Sequence, residues 1–439
     1  MKRGFILLAV IISSVAFHSL SARKTTVLSY GTPESVGVNG EYLSHAIDSI
    51  ANASIEAKCF PGCQILVARH GKIIHHKSYG YHTYEQERKV ENSHLYDMAS
   101  CTKVMAATMC LMHLVDNGKL DIDKPISYYL EEFKGSNKED LTLREILTHQ
   151  SGMRNPKLSK ILFNENKELR SDIISTTQSE EFPHQFCNGL YVTKENRNIL
   201  LNSIVNGKVG PKKFRYACAN LHLALYLVER ITGRPYEEYL YNEIYKPLGV
   251  KDAMYNPKRK YALEQIAPTE IDNRYRKQLV HGTVHDEAAA FMGGVSGNAG
   301  LFANSESLAP ILQMLLNGGE YNGVQLFKRK TVREWTSYQF PKNGNHRAVG
   351  FDKRRLVEPP LKPGESYPYC YGPSASKQSF GHTGFTGTMV WVDPKADLIY
   401  VILSNRVHPS RKNKPFNEFN PRAQCHEAAY EAIRRYKRR

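Results

Sequence analysis

Apolar and polar positions along this chain follow two different periods. From 64 to 80, QILVARHGKIIHHKSYG places two β-rich runs around His70-Gly71, which predicts a hairpin closed by a tight turn. From 388 to 405, TMVWVDPKADLIYVILSN repeats the pattern, with Asp393-Pro394-Lys395-Ala396 as the turn between two apolar strands. Between these stretches the spacing becomes helical: 102–117 stops at Asn117-Gly118, 220–232 at Gly233, and 305–317 at Gly318-Gly319. Residues 155–212 are polar, rich in Asn and Lys and weakly periodic, and read as a long excursion within the helical region. A helical region therefore interrupts a sheet assembled from both ends of the chain.

Composition adds bounds to this picture. The 439 residues are 41% apolar and 23% charged, an ordinary globular balance with room for a large core. Residues 1–22 read as a secretory signal: Lys2 and Arg3, an apolar stretch from Phe5 to Phe17, then small residues ending near Ser21-Ala22. That stretch is too short for a membrane span and no cysteine follows it to accept a lipid, so the expected product is exported, periplasmic or extracellular, with no stable span after cleavage. The net charge is +16, and losing Lys2 and Arg3 leaves about +14. The basic residues are scattered, apart from the tail at 434–439, which argues against nucleic acid and for an anionic cell-wall or membrane surface.

Eight cysteines in an exported chain allow 105 pairings, but their irregular spacing, with Cys101 and Cys110 inside an apolar run, reads as small buried hydrophobes. No Cys-x-x-Cys pair points to zinc. The cluster His281-Gly-Thr-Val-His285-Asp286 lacks a second set of ligands, and no metal or cofactor is expected.

One short motif carries chemistry. Ser100-Cys101-Thr102-Lys103 heads the almost wholly apolar run from Val104 to Val115, so the serine falls at the first turn of a buried helix. Residues three apart share a helix face, which lets the Lys103 amine approach the Ser100 hydroxyl, and burial would lower the amine's pKa so that it accepts the serine proton. The helix N-terminus favours negative charge on a substrate oxygen, with the Ser100 N–H as one donor. A helix-capping Ser100 with an outward-reaching Lys103 is the bland alternative. Two other Ser-x-x-Lys matches, Ser21–Lys24 and Ser374–Lys377, sit at the signal cleavage region and in a Pro/Gly-flanked loop.

Four further stretches change the balance: LTLREILTHQSGM (141–153), FRYACANLHLALYLVERITG (214–233), VHGTVHDEAAAFMGGVSGNAGLF (280–302) and FGHTGFTGTMVWVDP (380–394). With Ser100-x-x-Lys103 they resemble, in order, the serine β-lactamase and penicillin-binding-protein superfamily, on its class C and esterase side. The resemblance runs from about Pro61 to Pro409. It implies an α+β fold of the β-lactamase/transpeptidase type, an antiparallel sheet flanked by helices plus an all-helical lobe. Residues 23–439 would be a single domain, with the sheet subdomain from about 23–99 and 331–439 and the lobe from about 100–330.

The same resemblance implies roles. Ser100 matches the acylated serine, Lys103 its activating lysine, and Tyr216 the tyrosine of a Tyr-x-Asn motif that relays protons. Cys218 stands where that motif's asparagine would contact the lysine and a substrate carbonyl, and a thiol is a poor donor by comparison. Asn220 would substitute if turned inward, with capping of the next helix as the other reading. His382-Thr383-Gly384 matches the third motif, with the Phe385 N–H as second oxyanion donor; histidine in place of lysine weakens fixed-charge recognition of a carboxylate, which Arg406 would restore. His149 would be a buried structural residue.

The expectation is an exported acyl-enzyme hydrolase, resembling wall enzymes and exo-acting muramoyl amidases, whose substrate is a cell-wall peptide or small acyl compound. It would act as a D-Ala carboxypeptidase or an exo muramoyl-L-alanine amidase. The alternatives are a carboxylesterase or weak β-lactamase and, from another class, a non-catalytic wall-binding or sensor protein.

Overall fold

The computed structural model describes residues 26–360 and 367–438; the expected signal and its cleavage region lie outside the described residues. Seven strands form the large sheet: β1 (Ser29–Tyr30), β2 (Gly62–Arg69), β3 (Lys72–Gly80), β4 (Asp352–Lys353), β5 (Phe380–Thr383), β6 (Met389–Asp393) and β7 (Leu398–Ser404). Their spatial order is β1-β3-β2-β7-β6-β5-β4, so strands from the two ends of the sequence meet at the β2–β7 pairing. All pairs are antiparallel except β1–β3, which is parallel.

Both expected hairpins form. His70 and Gly71 have φ of 48° and 73°, the two positive angles that a tight turn between twisted strands requires. The β6–β7 turn closes with Asp397 at φ 51° and the Asp393 carboxylate accepting from Lys395 N at 3.0 Å. Successive side chains point to opposite faces, so Ile65, Val67, Trp391 and Tyr400 pack against helices α1 (Gly40–Glu56) and α6 (Pro421–Lys437), while Leu66, Val390, Val392 and Val401 face the helical lobe. Burial on both faces explains why these strands read as continuous apolar runs.

The lobe is built on α2 (Thr108–Asp116), α3 (Asn196–Val205), α4 (Ala219–Thr232) and α5 (Ser305–Leu316). Gly233 at φ 67° stops α4 in the left-handed conformation that its sequence predicts. The lobe is not wholly helical. Tyr96–Asp97, Leu301–Ala303 and Ala253–Tyr255 pair as one small sheet, and the polar excursion contains Leu158–Leu162, α3 and a second three-stranded sheet. These strands are two to four residues long, too short to leave a periodic trace in the sequence.

All eight cysteines are free, and six are buried. Among the described residues no helix is long and apolar enough to cross a membrane.

Candidate active site

The run expected as a single helix from 102 begins instead with a tight 3₁₀ turn, Ala99–Cys101, continues through a wide π turn, Lys103–Ala107, and becomes regular only in α2. Short π segments mark functional sites because they re-aim side chains at the cost of regular hydrogen bonding. Ala99 sits at φ 43°, left-handed backbone that costs a residue with a Cβ about 1–2 kcal/mol. Neighbouring contacts hold it there. Asp97 Oδ1 accepts from Ala99 N at 2.8 Å, Thr386 Oγ1 donates to Asp97 O at 2.7 Å, and Thr388 Oγ1 donates to Met98 O at 3.0 Å. The strained turn lifts Ser100 into a cleft of about 540 Å³.

Lys103, fully buried, donates from Nζ to Ser100 Oγ at 2.8 Å and to the Asn298 carbonyl at 2.9 Å, and its amine lies 3.7 Å from Cys218 Sγ. Tyr216, 43% exposed, donates its hydroxyl to the same Ser100 Oγ at 3.0 Å. The serine oxygen thus receives two hydrogen bonds, an arrangement that favours negative charge on it.

Burial is the largest single influence on the Lys103 amine and pulls its pKa down, but Cys218 and Tyr216 where ionised, together with the Tyr216 hydrogen bond, favour the charged amine, and the balance lies above the usual lysine value. This overturns the expectation of an amine lowered by burial. Burial also raises the Tyr216 phenol and the Cys218 thiol, so proton affinity in this cluster belongs to the group rather than to one residue.

The opposite wall is β5 and the turn after it. Gly384 is required there: a Cβ would lie 2.0 Å from Thr388 Oγ1 and 2.5 Å from Met98 O, so only glycine brings this strand against the Ala99–Cys101 turn. Cys101 Sγ donates to His382 O at 3.4 Å across the same seam. Ser100, Tyr216, Cys218, His382, Thr383, Gly384, Phe385 and Arg406 all line the cleft. Arg406 donates from Nε to Phe385 O at 2.7 Å and lies 4.6 Å above the Phe385 ring.

Asn220 is the exception. It is buried inside α4, its amide nitrogen 2.8 Å from His149 Nδ1 and its carbonyl accepting from Ser151 Oγ at 2.9 Å. Two residues of helix rotate a side chain by about 200°, which turns Asn220 away from the face that Cys218 presents to the cleft. It neither reaches substrate space nor caps α4, whose N-cap is Cys218. His149 is fully buried beneath Tyr216, its ring 4.5 Å from the phenol ring.

Sequence reasoning missed Arg347, Asp352, Arg411 and Arg422, all of which line the cleft. Arg347 pairs with Asp352, Arg411 with Glu270 and Glu287, and Arg422 donates to the carbonyl of Gly384. Arg347 and Arg411 lie in polar loops, Asp352 on the two-residue strand β4 and Arg422 on α6, none with a periodic or motif signal, and they converge only in the fold. His285, considered above for a metal, instead contacts Glu270 at 2.9 Å and stacks on Phe385 at 5.7 Å, while Asp286 caps the helix Glu287–Phe291. No group of three His, Cys, Asp or Glu side chains is placed to hold a metal ion among the described residues.

This geometry agrees with three comparisons. The profile of the Beta-lactamase family matches residues 47–419. A protein of Escherichia coli O157:H7 named "Putative D-alanyl-D-alanine carboxypeptidase" is 30% identical over 439 residues, covering 93% of this chain and 92% of its own length. Among solved structures, a penicillin-binding-protein homologue from Caulobacter crescentus has a TM-score of 0.62 at 18% identity, covering 90% of this chain and 99% of its own. D-amino acid amidase from Ochrobactrum anthropi SV3 has a TM-score of 0.64 at 17% identity, with the same coverage of 90% and 99%. With its serine, lysine and tyrosine assembled at a strained turn against a glycine-bearing strand, the chain belongs to the Beta-lactamase family and is a serine hydrolase of that family.

Proposed function

We propose that this hydrolase cleaves amide bonds of peptidoglycan-derived peptides through an acyl-enzyme on Ser100, as a D-Ala carboxypeptidase or an exo muramoyl-L-alanine amidase. The observation that carries the reading is Ser100 Oγ held at 2.8 Å by Lys103 Nζ and at 3.0 Å by Tyr216 OH on the floor of an open cleft. Ser100 Oγ attacks the carbonyl carbon in the ionisation state of the cluster that holds one proton fewer than a Lys103 ammonium beside a Tyr216 phenol; the site so vacated takes the serine proton and returns it to the departing amine. The backbone N–H groups of Ser100 and Phe385 stabilise the oxyanion. Water then attacks the ester carbon and regenerates Ser100. The wall peptide as substrate is supported by the carboxypeptidase name of the Escherichia coli relative and by the excess of basic groups; export is supported by the signal-like first 22 residues.

A carboxylesterase is favoured by one observation, the Cys218 thiol where an amide would bind a substrate carbonyl, since ester cleavage needs only the nucleophile and the oxyanion donors. The test incubates the protein and its Ser100→Ala variant with a mixture of muropeptides and reads product masses. Loss of a terminal alanine identifies a carboxypeptidase, and loss of the whole stem peptide an amidase. Unchanged muropeptides alongside Ser100-dependent ester turnover would replace this reading with the esterase.

A further inference from the structure

We propose that His149 is a positioning residue for Tyr216: it ties down the backbone on both sides of the tyrosine and supplies the face on which the phenol ring rests. The inference is independent of the substrate and rests only on the acyl-enzyme chemistry of Ser100.

Tyr216 needs such a support. Residues 214–217 form neither helix nor strand, so no regular ladder fixes the phenol that must meet Ser100 Oγ. His149 takes that place. Its carbonyl accepts from Arg215 N at 2.9 Å and its Nδ1 from Ala217 N at 3.3 Å, the two residues that flank Tyr216, and its ring lies 4.5 Å from the phenol ring at an interplanar angle of 38°. One side chain thus sets the height, direction and tilt of the tyrosine.

The imidazole is itself locked. Met153 N donates to Ser151 Oγ at 3.2 Å, Ser151 Oγ donates to Asn220 Oδ1 at 2.9 Å, and this leaves the Asn220 amide to donate to His149 Nδ1 at 2.8 Å. With Nδ1 accepting twice, the proton of the neutral ring is on Nε2; burial, Arg347 and Lys103 keep the ring from taking a second. Two features are costly for a residue that only fills space. The Nε2–H is buried without a hydrogen-bond partner among the described residues, and His149 holds φ at 57°, left-handed backbone that side chains rarely adopt. Such strain persists where the surroundings enforce it, and it clusters at functional sites. His149 is fully buried and does not line the cleft, so it acts through Tyr216 and not on substrate.

The experiment uses two probes that need Ser100 but no peptide: hydrolysis of p-nitrophenyl acetate, which separates kcat from KM, and the rate at which a fluorophosphonate labels Ser100. His149→Leu should lower kcat by about 10²-fold with KM changed by less than about threefold. His149→Asn, whose Oδ1 replaces the Nδ1 acceptor and which tolerates positive φ, should recover about tenfold. In a Tyr216→Phe background His149→Leu should slow labelling by less than about threefold, because the group it positions is gone. Circular dichroism checks folding; if His149→Leu does not fold, His149→Asn carries the same comparison, with about a tenfold loss beside Tyr216 and less than about threefold without it. Full activity of either folded variant, a raised KM at unchanged kcat, or equal losses with and without Tyr216 overturns the inference. Absence of Ser100-dependent reaction with both probes overturns the acyl-enzyme chemistry, and the inference falls with it. Muropeptides left intact by a protein active on both probes count against the peptide reading alone.

Discussion

The floor and the β5 wall of the cleft are built from similar polar side chains but satisfy them differently. On the floor, Ser100 Oγ takes hydrogen bonds from Lys103 and Tyr216, and Lys103 also reaches the Asn298 carbonyl, so the reactive groups are positioned before any ligand arrives. On the wall, His382 Nε2 and Arg347 Nε are buried without hydrogen-bond partners among the described residues. Chemistry needs preorganisation, because positioning paid for during folding is not paid again in the transition state. Recognition needs open valences, because a buried polar atom that only the correct ligand pairs penalises every other ligand.

The most severe break in this contrast is Ser100→Ala, which should lower kcat by at least about 10³-fold while circular dichroism stays unchanged. Next, Lys103→Ala and Tyr216→Phe should each lower kcat/KM by about 10²–10⁴-fold, and combining them should cost far less than the product of the two, since they act as a unit on one oxygen. Equal, multiplicative losses would show that they act separately.

Gly384→Ala tests the seam between floor and wall. Its Cβ must push back Thr388 or the Met98 carbonyl, and a displacement of about 1 Å should lower kcat by roughly 10²-fold with a smaller loss of stability. A fully active variant would show that the close approach is dispensable.

Acid sensitivity should be milder and spread over the molecule. Burial holds His382, His75 and His222 at about 4 and His82 and His426 at about 3, all below the ordinary value of 6.5. Between these values the unfolded chain binds protons that the native protein does not, so stability rises with pH across the window and is lost as pH falls from 6.5 towards 4. Urea midpoints measured across that range should fall steadily, and a flat profile would contradict the buried neutral rings. The smallest effect is expected for Cys218→Ala, because a thiol 3.7 Å from an amine is a weak partner; kcat/KM should change by less than about tenfold.

Regular periodicity made much of the fold legible. The hairpin turn at His70-Gly71, the second turn, expected at Asp393–Ala396 and found one residue later at Pro394–Asp397, and the helix stop at Gly233 are local events, encoded by residues adjacent in the chain. Asn220 shows the limit of motif spacing: two positions from Cys218 in sequence, it lies on the other side of α4. The direction of the Lys103 shift was equally out of reach, because it depends on Tyr216 and Cys218, more than 110 residues away.

By itself, then, the sequence determined the two hairpins, the apolar helix behind Ser100 and the order of the motifs, and offered Ser100 as the candidate nucleophile, because each rests on short-range periodicity or a compact pattern. Only the tertiary structure decided that the helix opens with a strained Ala99 and a π turn, that Arg347, Asp352, Arg411 and Arg422 share one cleft, and which nitrogen of His382 is left open. The physical reason is that strain, proton affinity and hydrogen-bond satisfaction are set by neighbours that the folded chain brings together from distant positions.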